Sequence, residues 1–283
     1  MSFSAIIRST FASWSYHEAP RLGAALAFYT ILSLAPLMIL IVSLAAFVFG
    51  FPSAQSQILM QVQSMLGQQG AEAVKAIIEQ AQKPSDSITA SVLGMVMLLF
   101  GASGVFEELR SALNKIWNVQ PVQSGHVAAL LRERFFSFGM VLAIGFLLLV
   151  SLLFSAGLAA LCNFCNEILP VSEWTLRIVN MVVSFFSISI VFALIFKFVP
   201  NAQIAWNPVI VGALLTSSLF SIGKVLIGLY LGKAAVGSAY GAAGSLVVIV
   251  VWVYYSSQIF FLGAEFTHAL ATSRNPEIQN SSQ

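Results

Sequence analysis

From Ala234 to Ala264 the chain carries no charged side chain, and the stretch ends on a single carboxylate, Glu265. A run of this kind fixes the solvent before it fixes the fold. A helix needs about 20 apolar residues to cross a hydrocarbon core of roughly 30 Å, and this stretch is long enough. Composition extends the point to the whole molecule. Hydrophobic residues make up 58% of it and charged residues 8%, where ordinary globular domains carry about 25% charged residues. Thirteen basic and 11 acidic side chains cannot cover the water-exposed surface of 283 residues.

Six stretches between the charges qualify as spans: 24–51, 88–106, 135–161, 178–199, 208–231 and 242–264. Backbone groups in lipid must be paired within their own segment, so the spans are helices. The expected fold is an all-α integral membrane protein, a bundle of six transmembrane helices in one domain. The first 23 residues hold Glu18 and lack a short apolar region with a small-residue cleavage site, so no removable leader is expected. Proline placement agrees. Pro20, Pro52, Pro84, Pro121, Pro170, Pro200 and Pro276 fall between or outside spans, and Asn207–Pro208 reads as a cap and first helical residue. Only Pro36 lies inside a span, where a missing backbone bond should kink the helix.

Lysine and arginine near the spans set the orientation. With both termini cytoplasmic, Arg8, Arg21, Arg110, Lys115, Arg132, Arg134, Lys197 and Arg274 lie inside, and Lys75, Lys83, Arg177 and Lys233 outside. The short polar tail 271–283 then lies in the cytoplasm. A net charge of +2 gives no reason to expect a nucleic-acid partner.

Two connections carry structure of their own. Between 52 and 87, Ile58, Leu59, Val62, Met65 and Leu66 recur at helical spacing, and Val74, Ile77, Ile78 and Ala81 do so after "GQQG" (Gly67–Gly70). That pattern predicts an outer amphipathic helical hairpin, either a packing cap or a lid over an outward-facing cavity. On the other side, "VFEELRSALNKIWNV" (Val105–Val119) sets Phe106, Leu109, Leu113, Ile116 and Trp117 on one face. It predicts a cytoplasmic interfacial helix with its tryptophan at headgroup level.

Catalytic patterns are missing from the sequence. His17, His126 and His268 fall at no metal-ligand spacing, and no phosphate loop or nucleophile elbow occurs. "CNFC" (Cys162–Cys165) stands alone at a helix end and lacks the setting of a redox motif, although an oxidising compartment could join the pair. No catalytic residue, cofactor or metal is expected.

Charges inside spans are costly and so become candidate functional positions. Lys224 lies about 24 Å along the fifth span, where it can snorkel outward, or meet a lipid phosphate or a hairpin carboxylate. Glu265 lies where the sixth span is expected to leave the membrane. A carboxylate near a helix C-terminus opposes the macrodipole, so a cationic partner is expected there. Arg21, Arg110 and Lys197 share its depth; the competing reading is a structural anchor.

"RLGAALAFYTILSLAPLMILIVSL" (Arg21–Leu44), "GASGVFEELRSALNKIW" (Gly101–Trp117), "KFVPNAQIAWNPVIVGALLT" (Lys197–Thr216) and "YGAAGSLVVIVVWVYYSSQIFFLGAEFT" (Tyr240–Thr267) together resemble the YihY/BrkB family of bacterial inner-membrane proteins, once mislabelled as ribonuclease BN. The resemblance runs from about Arg8 to about Leu270, and residues matching its motifs include Tyr29, Pro36, Glu108, Gly212, Gly263 and Glu265. It implies six membrane helices with both ends cytoplasmic, and a role in envelope integrity through movement of lipids or lipid A precursors. It carries no catalytic residue. Membrane lipids, and other envelope-assembly proteins, are the partners it implies. A non-transporting scaffold and a small-solute transporter are the alternatives, the second needing a polar midplane site. Cutting RNA would need a basic, aromatic-lined surface or a metal cluster, which the residues do not supply.

Overall fold

A computed structural model describes residues 3–81, 104–119, 173–233 and 244–274. The described residues form helices and turns, with no strand among them. In chain order the helices are α1 (Phe3–Tyr16), α2 (Ala19–Phe49), α3 (Phe51–Ala81), α4 (residues 104–116), α5 (Glu173–Phe198), α6 (Trp206–Lys233) and α7 (Gly244–Arg274). Most of span 88–106, all of span 135–161, His126 and "CNFC" lie outside the described residues.

Among the described residues, three helices are long and apolar enough to cross a membrane, over Met181–Phe198, Trp206–Tyr230 and Leu246–Ser273. They match the fourth, fifth and sixth expected spans, but the last reaches beyond Ala264. Glu265 therefore lies within the apolar stretch, not past its end. The first expected span falls in α2, a helix of 31 residues, or about 46 Å at 1.5 Å per residue. α2 stays helical through Pro36. α6 begins at Trp206, which keeps Pro208 in a first turn where its missing N–H has no intrahelical partner to lose.

Residues 51–81 correct the hairpin expectation. They form one helix of 31 residues, with no turn at Gly67–Gly70. The reason is energetic: each glycine weakens a helix by only about 1 kcal/mol, and apolar residues on both sides of Gly67–Gly70 are buried. Ile58, Val74 and Ile78 are buried with Val42 of α2, flanked by Met38, Leu59 and Val62. Gly50 makes the sharp connection before α3, at φ 75°, a backbone region that disfavours side chains.

α7 is the hub. It packs against α1, α2, α3 and α6, while α6 also packs against α5. The largest core joins Leu26 of α2, Phe196 of α5, Val209 and Ala213 of α6, and Phe260, Phe261 and Ala264 of α7. α4 closes one end with Leu109, Ala112, Leu113 and Ile116, the spacing of one helical face. Asn118, at φ 52°, ends α4; its N–H bonds Lys115 O at 3.2 Å and that of Val119 bonds Asn114 O at 2.9 Å, a Schellman cap. Trp117 packs into the protein interior. It is buried, edge-on to the His268 ring at 4.9 Å.

The seam between α6 and α7 is the closest approach. A Cβ on Gly212 would overlap the Thr267 hydroxyl and lie 2.9 Å from Thr267 Cβ; one on Gly263 would overlap the Thr216 hydroxyl and lie 2.9 Å from Thr216 Cβ. The arrangement is reciprocal and antiparallel, each helix offering Gly-x-x-x-Thr to the other. Each threonine hydroxyl donates to its own helix, Thr216 to Gly212 O and Thr267 to Gly263 O, both at 2.7 Å.

Candidate functional site

Where α1 meets α7, a buried ion-pair geometry forms. His17 closes α1, its N–H bonded to Ser13 O at 2.8 Å. Glu18 follows at φ 55° and turns the chain into α2, where Pro20 occupies the first turn. The turn leaves His17 against α7, with Nδ1 2.6 Å from Glu265 Oε1. The two side chains are 7% and 0% exposed. Such a short contact fits a charge-assisted bond. Oε2 of the same carboxylate is buried and has no hydrogen-bond partner among the described residues.

Glu265 thus has a different partner from those expected. Arg21 is exposed and pairs with Glu18 at 3.0 Å, and Lys115 reaches the same Glu18 oxygen at 3.7 Å. Arg110 Nη2 donates to Asn201 Oδ1 at 2.7 Å. Lys197 Nζ donates to Ile204 O and lies 5.5 Å from the Trp206 ring centroid. Arg21, Arg110 and Lys197 are engaged elsewhere, and a histidine meets the carboxylate.

The remaining candidates do not join this site. Lys224 is half-buried on α6 and has no ion pair with a carboxylate among the described residues. Lys75 and Glu79 of α3 pair with each other at 3.7 Å. Tyr29 is part-exposed, edge-on to Phe28 at 5.7 Å, and its ring edge lies against Gly104 at the start of α4. Pro36 sits within continuous helix.

Two residues that sequence reasoning passed over belong here. His17 lies 248 positions from Glu265, and nothing local marks it. Gln258 lies two turns before Glu265 on the same face of α7, beside Gly23 of α2. Its amide nitrogen and oxygen are both buried without hydrogen-bond partners among the described residues. A glutamine near the middle of an apolar span was the available signal.

Glu108 of α4 has its carboxyl pushed above the ordinary range, first by burial and then by the neighbouring Glu107 charge. A raised folded-state value means that stability is full at low pH and is lost as pH rises through it. Glu108→Gln should therefore raise the melting temperature at pH 8, with the gain vanishing as pH falls into the ordinary carboxylate range. Melting curves in detergent across that range check it; a gain that grows towards acid pH would contradict it.

The protein family described as virulence factor BrkB matches this sequence over residues 10–283. The chain belongs to that family. It is 26% identical over 265 residues to a UPF0761 membrane protein of Pseudomonas paraeruginosa, covering 91% of this chain and 60% of that protein. YfkH of Bacillus subtilis, named ribonuclease-like, is 24% identical over 274 residues, 95% of each chain. A UPF0761 membrane protein of an Enterobacter species is 31% identical over 208 residues, 72% of this chain and 66% of the other. The chain spans about 60% of the length of the Pseudomonas relatives it matches. No solved structure matches it. Membership and the apolar helices together make this a membrane protein of the BrkB family.

Proposed function

We propose that the protein works in the bacterial inner membrane, termini in the cytoplasm, and moves or hands on envelope lipids. The observation that supports this reading is unmet polar capacity inside an apolar bundle. Gln258 and Glu265 Oε2 are buried on one face of α7 without hydrogen-bond partners among the described residues, and an unpaired polar group in such surroundings costs about 1–3 kcal/mol. A lipid headgroup can supply those bonds while its tails stay among the outward apolar side chains of α5 and α6, such as Phe186, Ile190, Ile222 and Leu226. A small solute would need only the polar groups; the exposed apolar flanks favour an amphiphile. Membrane lipids are then the main partners, with other envelope-assembly proteins beside them. A non-transporting scaffold is the second reading, favoured by the interlocked α6–α7 seam.

The test is lipid exchange in proteoliposomes carrying a fluorescent phospholipid, with the outer-leaflet label quenched chemically. The protein should speed access to the inner-leaflet label, and Gln258→Leu should remove that acceleration while keeping the melting temperature. Rates equal to those of empty liposomes would overturn lipid movement and leave the scaffold.

A further inference from the structure

We propose that the His17–Glu265 pair is a proton-binding site, taking up one proton from water and releasing it again. The geometry carries the case. Glu265 is wholly buried within an apolar span, where a fixed charge is expensive. Among the described residues its close partner is a histidine, the side chain whose ordinary titration straddles neutral pH. A permanent cation would hold the carboxylate ionised, whereas a histidine lets the pair share a proton and remain neutral as imidazole and carboxylic acid, or as imidazolium and carboxylate. Oε2, without a partner, is a free position for the proton.

The surrounding charges leave the pair to itself. Arg8 on α1 is exposed, Glu18 and Arg21 at the turn pair with each other, and Lys115 of α4 joins Glu18. Glu108 of α4 is half-buried, Lys197 of α5 is bonded to Ile204 O, and Lys224 of α6 lies nearer the other end of that helix. Lys75 and Glu79 of α3 pair with each other. His268 lies one turn along α7, edge-on to Trp117. The step makes one O–H or N–H bond and breaks it on release, with the proton exchanged with water. The way in is short, since Tyr16 beside His17 is 81% exposed. Because His17 belongs to the α1–α2 turn and Glu265 to the hub helix, proton binding alters the contact between them.

The experiment uses the full chain in nanodiscs with nitrogen-15 histidine, whose three residues give separable ring signals, assigned through His126→Gln and His268→Gln. The His17 midpoint should move by about one pH unit or more in Glu265→Gln, a tenfold change in proton affinity. Infrared pH-difference spectra of the unmodified protein should show a protonated-carboxyl band that is altered in His17→Gln, a measurement that does not depend on Glu265→Gln folding. A His17 midpoint that stays within about 0.3 pH unit, or a carboxyl band indifferent to His17→Gln, would overturn the site. Neither readout involves lipid exchange, so this proposal and the lipid reading can fail separately.

Discussion

Valine in place of Gly263 should leave little folded protein in detergent. At that position a Cβ already overlaps the Thr216 hydroxyl and would sit 3.0 Å from Thr216 Cγ2, and the threonine is itself fully buried. Overpacking by small groups costs about 1–3 kcal/mol, so alanine falls in that range and valine, with two more carbons, beyond it. The cost comes from the seam and not from helix propensity, since alanine alone favours a helix by about 1 kcal/mol over glycine. Gly263→Ala combined with Thr216→Gly should thus regain most of the stability lost in Gly263→Ala. Melting temperature and size-exclusion profile report both. Additive losses in the double variant would mean that the two residues do not meet.

The second large effect belongs to Glu265→Ala. It leaves His17 Nδ1 buried without its partner, and removing one partner of a buried pair costs about 3–5 kcal/mol. His17→Ala should cost a similar amount, because it strands the carboxylate. Together the two should cost far less than their sum. Neutralising Arg21, Arg110 or Lys197 should not rescue Glu265→Ala, as each is bonded elsewhere. Denaturation in detergent at neutral pH measures the cycle, and additivity within about 0.5 kcal/mol would dissolve the pair.

The parts of the fold legible in the sequence are those fixed by local solvent preference. α5, α6 and α7 fall where charge-free runs place them, and the buried face of α4 follows its 109, 112, 113, 116 spacing. α3 was misread for a reason that is also local. Glycines at 67 and 70 look like a turn, but tertiary burial of Ile58, Val74 and Ile78 outweighs two weak helix formers. The site was half legible. Glu265 announced itself as a charge in an apolar run; its partner did not, because contact between residues 17 and 265 is made by packing, and ranking partners by permanent charge favoured arginine and lysine. The α6–α7 seam had its signal in plain view, two Gly-x-x-x-Thr pentads, but their reciprocity appears only when the helices are laid side by side.

That seam has a mechanical consequence. Both threonines give their hydroxyl hydrogens to their own helices, so neither hydroxyl reaches across. What resists parting at these four residues is shape and dispersion, which fall away over fractions of an ångström. Tight steric registry holds α6 against α7 at rest, yet once the teeth are lifted by a small outward tilt, the helices can shear along one another without a polar bond to break between those residues.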